Sequence, residues 1–567
     1  MKRPPGFAFW VNEAPPLGVT LLSALQHIGL LCGLLPIPLA VAREAGLSSA
    51  GTINLIAVSM LSMGACAILQ ALNRGPIGTG LLAPSSFSGA YLAPSLLAVK
   101  SGGLALVFGM TIFGGFVEAG MSRLLRHLRP FLPAEIAGFV VVLIGVNVGS
   151  LGMRYALGID SDVPIAPREI AVSMLSLAVM VGLNVWGRGS ARLFCVLIGM
   201  IGGYAVAAAL GVLSIADLER AVAAPGFGVP HVGAFGWSFD ANLIVPFAIG
   251  AIAASLKTMG DLTVCQRIND ADWVRPDLNG ISRGTLANAL GTAFAGIVGT
   301  TGYTTSSSNI GLAGATGVTS RRVAHVCGGL LVALAFLPQF AGLLAIMPRS
   351  LMGAMLMFIA AFIIVSGLQI VAARLLDVRR TFVIGLSLVA ALAVDRAPAY
   401  FSALPPAIQP LVSSSLVAGL VVAIALNLVF RIGTRKVQRF AVASGTVDPT
   451  ALGDFMIQCG ASWGARRDVI ERARFNLLQS IEALRGSGLA DGPLEVGASF
   501  DEFNVVLRLS YDGAPLELPT VRPTDEEIMA SDEGERRLAG FMLRRFADRV
   551  SAAGRNGRST VTFQFMH

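Results

Sequence analysis

Long apolar runs separated by short polar breaks fill most of the chain. Runs able to cross about 30 Å of hydrocarbon fall at 18–41, 52–71, 103–124, 134–152, 170–187, 193–213, 242–264, 283–299, 323–346, 352–371, 380–395 and 412–431. Two further stretches, 78–98 (TGLLAPSSFSGAYLAPSLLAV) and 300–320, have membrane length but are broken by Pro, Ser, Thr and Gly. The pattern predicts twelve continuous crossings and two broken ones, fourteen in all. It changes after residue 435. There ARRDVIERARFNLLQSIEALRG reads as a helix, LEVGASF and FNVVLRLSYDG as alternating strands, SDEGERRLAGFMLRRFADRVSAAG as a long helix and STVTFQF as a last strand.

Composition supports lipid as the solvent of the first part. Of the 567 residues 54% are hydrophobic and 13% charged, with a mean hydropathy of +0.71, where soluble domains carry about 25% charge. The fold class expected is an all-α polytopic membrane protein with an α+β C-terminal domain. The expected organisation is an N-terminus at 1–17, a transmembrane domain at 18–431, a linker at 432–450 and the C-terminal domain at 451–567. The first apolar run reads as a span rather than a signal peptide. The net charge of +8 is explained by loops on one side of a membrane, so no nucleic-acid partner is expected. The six cysteines stand singly, which suggests neither a disulfide framework nor a metal site.

Charge position tests the count. With fourteen crossings and the N-terminus inside, the loops after even-numbered crossings hold Asn73-Arg74, SRLLRHLR (122–129), WGRGSAR (186–192), QRINDADWVRPDLNGISR (266–283), TSRR (319–322), ARLLDVRR (373–380) and RIGTRKVQR (431–439). All contain Arg or Lys, which is the positive-inside pattern. It holds only if the two broken stretches are counted, and it puts both termini in the cytoplasm of a bacterial inner-membrane protein. Each broken stretch is third in its set of seven, the mark of an inverted-repeat transporter. Irregular backbone is tolerated at that depth only inside protein or beside a cavity.

The second broken stretch reads GTTGYTTSSSNIGLAGATG, with Asn309, Gly311 and Thr316 in an Asn-x-Gly-x-x-x-x-Thr pattern. The approach to and start of the first span read VNEAPPLGVTLLSALQHIGLL (11–31), which holds the pair Gln26-His27, and APSSFSGAYLAP (83–94) forms the first broken stretch. Together these motifs resemble the nucleobase/ascorbate transporter family, the xanthine and uracil permeases, over roughly residues 10–430. The resemblance implies two inverted sevens arranged as core and gate domains. It also implies a homodimer and a purine, pyrimidine or related heterocycle bound between the broken elements. Phe87, Ser88, Gly89 and Ala90 on one side and Ser307, Ser308, Asn309 and Ile310 on the other would flank it. The resemblance further implies secondary transport of xanthine, uracil or urate with H+ or Na+ symport. No enzymatic activity, cofactor or metal is expected.

Two positions depart from the family. Lys257, in LKTMGDLT, stands where an acid is expected, and Ser308 stands where Gln or Glu is expected. Lys257 and Asp261 are i and i+4 on one helix face. They form either a neutralising pair or a substrate-contacting Lys257 beside a proton-coupling Asp261, and an intramembrane ionisable residue is functional by default. An anion transporter on the same fold is therefore the alternative, and a sensor signalling through the C-terminal domain is a third. His27 is either a packing residue or a contact near the site. Glu118 reads as a partner of Arg123, and Asn309 as a brace between the two broken stretches.

The order of elements after 450 resembles the ATP-binding domain of histidine kinases and anti-sigma kinases. Asn476 and Ser480 occupy the Mg2+-helix spacing, and Asp512-Gly513-Ala514 is a reduced form of the glycine loop. ATP binding is not expected of it; a regulatory role with a cytoplasmic partner is.

Overall fold

A computed structural model of the 567-residue chain describes all residues except 74, 129–132, 160–165, 223–224, 274–275, 373–375, 377, 406–407, 431–436, 443–447, 487, 491, 501–503, 525–526, 529–531, 556 and 567. Arg74, the RIGTRK stretch and most of the predicted linker lie outside the described residues. The chain forms two compact units. One comprises Met1–Leu132, Ile136–Ile370 and Leu386–Ile424, and the other Pro133–Glu135, Val371–Gly385 and Ala425–His567.

The membrane segments follow the predicted order. Segment 1 is Leu17–Cys32 continued by Pro36–Glu44, and segment 2 is Ser49–Ala71. Segment 3 is strand β1 (Ser85–Phe87) followed by a helix from Leu92. A break at Gly102–Gly103 separates that helix from segment 4, which ends at Leu128. Segments 5, 6 and 7 are Ala134–Leu157, Pro167–Trp186 and Cys195–Ala209. Segments 8 and 9 are Ile244–Asn269 and Leu278–Val298. Segment 10 is strand β2 (Tyr303–Thr305) followed by helix Ser307–Thr316. Segment 11 is Arg321–Ala335, bent by 87° into Pro338–Ala345. Segments 12, 13 and 14 are Arg349–Ala372, Val378–Arg396 and Ser415–Phe430. Seven of the described helices are long and apolar enough to span a membrane unbroken, or eight with the bent pair counted as one span. Of the rest, Cys195–Ala209 and Ser415–Phe430 are shorter apolar helices, Leu278–Val298 is rich in Gly, Ala and Thr, and Val378–Arg396 carries Arg379, Arg380, Asp395 and Arg396 at its ends.

Glycine decides where helices cross. A Cβ on Gly64 of segment 2 would lie 2.5 Å from the Gly328 carbonyl oxygen of segment 11, and a Cβ on Gly328 would lie 2.6 Å from that of Gly64. Segments 4 and 9 cross in the same way: a Cβ on Gly115 would meet the Ala293 nitrogen at 2.7 Å, and one on Gly296 the Phe108 carbonyl at 2.7 Å. The two crossings exchange under an inversion that carries segment 2 to 9 and segment 4 to 11. Segments 5 and 12 meet through Gly152 and Gly353, each within 3.0 Å of the other's carbonyl on the same test. Small residues serve this purpose in membranes, where tight van der Waals contact replaces hydrophobic driving force.

The N-terminus is ordered as a strap. Phe9 bridges Val318, with Phe9 N–H to Gly317 O at 3.0 Å and Thr319 N–H to Phe9 O at 2.8 Å. The Arg321 N–H donates to Val11 O at 3.1 Å, and Ser320 Oγ donates to Glu13 O at 2.6 Å. Trp10 Nε1 donates to Asn269 O at 3.0 Å, and Lys2 bonds Asp270 and Asp272 beyond the end of segment 8.

The second unit contains a five-stranded antiparallel sheet in the order β3-β4-β5-β7-β6, with β3 at Val437–Val442, β4 at Leu494–Phe500, β5 at Asn504–Asp512, β6 at Arg549–Arg555 and β7 at Arg558–Met566. Alternate strand residues Val496, Val505, Leu507, Leu509, Val561, Phe563 and Phe565 point into one core with Met456, Ile470, Leu477 and Ile481 of helices Pro449–Trp463 and Arg467–Gly486. Three expectations change here. The predicted linker contains a strand, β3. A helix, Pro449–Trp463, opens the domain. The predicted helix through residue 554 stops at Phe546. Beyond it Val550 pairs with Phe563 and Ala552 with Val561 in a hairpin, so cross-strand pairing overrides the helix propensity of the alanines.

Candidate functional site

The two broken segments meet. β1 and β2 pair antiparallel with Ser85 opposite Thr305, Ser86 opposite Thr304 and Phe87 opposite Tyr303. Such short strands could not persist in hydrocarbon alone, because unpaired backbone groups are costly there. Pairing satisfies them, and the Phe87 and Tyr303 rings pack at 5.0 Å between centroids. The second extended piece is therefore Tyr303–Thr305. Ser307, Ser308 and Asn309 belong to the half-helix that follows it.

Segment 8 lies alongside this pair. Lys257 Nζ donates to Asp261 Oδ2 at 2.7 Å, to the Thr305 carbonyl at 2.7 Å and to Ser307 Oγ at 3.2 Å. Asp261 also accepts from Thr305 Oγ1 at 2.8 Å and from Ser307 Oγ at 2.7 Å. Both side chains of the ion pair are 8% exposed. All three ammonium protons are used, and the carboxylate receives three donors. The knot fixes the end of β2 and the first turn of its half-helix to segment 8. That turn presents N–H groups without intrahelical partners and the positive end of a helix dipole.

The half-helix has two faces. Asn309, Ile310, Leu312 and Ala313 are buried, whereas Ser308, Gly311 and Ala315 are uncovered at helical spacing. A Cβ on Gly311 would touch nothing within 4 Å. Ser308, the position where the resemblance puts a substrate-binding side chain, thus lies on the open face beside the Lys257 knot.

The other predicted residues, apart from the half-buried Thr316, are buried around this centre. Ser88 caps the turn after β1, accepting from the Ala90 N–H at 3.2 Å, and its own N–H donates to Gly302 O at 3.0 Å. Gly89 faces Ile144 and Val148 so closely that a Cβ would fall within 2.8 Å of both, and the Ala90 carbonyl lies against Gly250. The Phe87 side chain is covered by protein. Gln26 and His27 are buried in segment 1. His27 Nδ1 lies 2.6 Å from Asn309 Oδ1, and Asn309 Nδ2 donates to Ser306 Oγ at 2.8 Å. The amide nitrogen being committed, Oδ1 accepts and His27 carries its proton on Nδ1. Asn309 therefore ties the second broken segment to segment 1 rather than to the first broken segment. Thr316 bonds back to the Leu312 carbonyl at 2.9 Å, before the left-handed Gly317 ends the helix. Removing the brace by Asn309→Ala should cost about 1–3 kcal/mol, since it leaves a buried His27 donor unpaired. Thermal unfolding of the purified variant reads this, and an unchanged midpoint would contradict the brace.

Glu118 differs from its predicted pairing. It is fully buried; Oε1 accepts from Tyr91 OH at 2.7 Å and Thr292 Oγ1 at 3.3 Å, and Oε2 accepts from Asn288 Nδ2 at 2.8 Å. Arg123 is exposed, and a spacing of five residues turns it about 140° around the helix. Sequence reading missed Asn288, Thr292 and Thr305. The available signal was polar side chains inside apolar segment 9 (GTLANALGTAFAG) and the hydroxyls of the TT pair.

The match to a family model is extensive: Xan_ur_permease, described as "Permease family", covers residues 18–400. The chain is similar to the xanthine permease XanP of Escherichia coli, 28% identical over 74% of this chain and 94% of that protein. It is similar to the xanthine permease XanQ of the same species, 26% identical over 76% and 94%. It is also similar to the uric acid permease PucJ of Bacillus subtilis, 26% identical over 73% and 93%. With its paired broken segments and helical membrane unit, the chain belongs to the xanthine/uracil permease family.

Proposed function

We propose that this permease moves an oxopurine, with xanthine and urate the first candidates, across the bacterial inner membrane. The observation that carries the reading is the open face Ser308–Gly311 beside the Lys257–Asp261 knot, at the junction of the two paired broken segments. Such heterocycles present alternating N–H and C=O groups. Free backbone amides at a half-helix start and the Ser308 hydroxyl suit that pattern. The names of the relatives, xanthine and uric acid permeases, support the substrate class. H+ is the coupling ion of this reading, with Na+ the alternative. A homodimer, cytoplasmic termini and a regulatory partner for the C-terminal domain complete it.

A second reading has one observation in its favour. A cation, Lys257, stands where the family resemblance expects an acid, which favours a ligand bearing negative charge. Urate is an anion at neutral pH and satisfies both readings; small organic anions satisfy only the second. Thermal unfolding of the purified protein with xanthine, urate, uracil and small carboxylates separates them. A ligand at about 100 times its Kd stabilises the folded state by about 2.7 kcal/mol, so xanthine or urate should raise the midpoint clearly. Stabilisation by carboxylates alone would replace the oxopurine reading with the anion one.

A further inference from the structure

We propose that Glu118 is the residue that carries the coupled proton, and that its protonation is transmitted to the β1–β2 pair through Asn288 and Thr292. The inference rests on the proposed H+ coupling but not on the identity of the substrate.

The two buried acids of the membrane unit near the site differ in one respect. Asp261 has an ammonium at 2.7 Å, so that pair is neutral without a proton. Glu118 is fully buried, and its partners are two hydroxyls and one amide. Among the described residues none of its bonded partners is cationic, so it reaches neutrality only by taking a proton. Unpaired charge at this depth is expensive.

The same three partners hold the strands. Asn288 Nδ2 donates to Glu118 and also to the Tyr303 carbonyl of β2 at 3.0 Å, while its Oδ1 accepts from Ser85 Oγ of β1 at 2.9 Å. Thr292 Oγ1 accepts from the Tyr303 N–H at 3.2 Å. Tyr91 follows β1 at the start of its half-helix. A proton arriving from water on Oε2 makes an O–H and weakens the acceptor of one Asn288 N–H. A proton on Oε1 competes with Tyr91 and Thr292 instead. In either case one donor must turn, and each donor is tied to β1 or β2. When the proton leaves to water on the other side, the carboxylate recovers its three donors. The pair that shapes the candidate site thus changes its support with each proton.

Other titratable groups on the elements packed against segment 4 are few. Tyr91 bonds Glu118 directly, and Cys66 of segment 2 and Tyr303 are buried nearby. Segment 8 brings Lys257 and Asp261, which bond each other, and segment 9 brings Arg283 near its start. Pro36–Glu44 brings Arg43 and Glu44, the latter paired with Lys100. Asp240 caps the turn before segment 8.

The test uses full-length protein and Glu118→Gln, which keeps the shape and cannot titrate. In proteoliposomes loaded with xanthine or urate, the variant should retain counterflow and lose accumulation driven by a pH gradient. Native uptake should change by up to about tenfold per pH unit where one proton titrates, and that slope should flatten in the variant. Gradient-driven accumulation by Glu118→Gln would overturn the proposal. If the variant does not fold, Tyr91→Phe removes one donor and keeps the acid; it should shift the pH of half-maximal uptake, and an unmoved midpoint counts against Glu118. Infrared difference spectra of substrate-free protein across a pH step supply an independent readout. The C=O band of a protonated carboxylic acid should be present in the native chain and absent in Glu118→Gln, and its persistence would overturn the assignment. If neither xanthine nor urate binds, the oxopurine reading fails, and the infrared result still decides Glu118.

Discussion

Lys257→Met is expected to abolish uptake and to lower stability by about 3 kcal/mol, the lower end of the range for breaking one side of a buried ion pair. The lower end applies because Asp261 would keep the hydroxyl donors of Thr305 and Ser307, at 2.8 and 2.7 Å. The Thr305 carbonyl, however, loses the ammonium that satisfies it. Adding Asp261→Asn removes the stranded charge. The double variant should therefore regain most of the lost stability without regaining uptake, and a double-mutant cycle on thermal unfolding measures the coupling. Additive losses would mean that the two side chains do not act as a pair. Lys257→Glu tests charge selection separately. Loss of urate with gain of uracil would make Lys257 the selector of ligand charge, whereas urate uptake retained by Lys257→Ala would rule out any direct contact.

Gly64→Val should prevent the membrane unit from assembling. The added Cβ would sit 2.5 Å from a backbone carbonyl of segment 11 and 3.0 Å from the Val332 nitrogen. Neither atom is the end of a flexible side chain, so the two helices must separate. A shift at this crossing loses the contacts that replace hydrophobic driving force in lipid, and overpacking alone costs about 1–3 kcal/mol. Gly311→Ala is the contrasting case. Its Cβ meets nothing, and alanine in a helix is favoured over glycine by about 1 kcal/mol. That variant should fold at least as well as the native protein while its methyl narrows the open face and weakens uptake. Size-exclusion profiles and unfolding midpoints check both. A well-folded Gly64→Val protein would contradict the crossing.

Much of the membrane unit was legible because one physical signal, apolar length, dominates in lipid. The broken stretches announced themselves by Pro, Ser, Thr and Gly at membrane depth, and positive loops fixed their number. The site was harder to read. That β1 pairs with β2 depends on a contact between residues more than two hundred apart in sequence, which no local pattern encodes. The half-helix that opens at Ser307 is held by a remote contact too, from Ser307 to Lys257 and Asp261 of segment 8. Sequence alone points Glu118 to its neighbour Arg123, because spacing along one helix is visible and a facing helix is not. In the C-terminal domain, period-two alternation exposed β4, β5 and β7. RVSAAGR lacks that alternation and its alanines favour helix, although Asn556-Gly557 after it is a hairpin signal.

The strap at the start of the chain has a mechanical consequence. Phe9, Trp10, Val11 and Glu13 bond at once to the end of segment 8, the end of the segment 10 half-helix and the entrance of segment 11. These helices carry Lys257, Asp261, Ser307 and Asn309, so the strap works as a splint across one end of the lever that holds them. Sliding one of them past another would require breaking a row of backbone hydrogen bonds, whereas turning them together breaks none. Shortening the chain from its first residue would therefore soften the lever before it touched any group that faces a ligand.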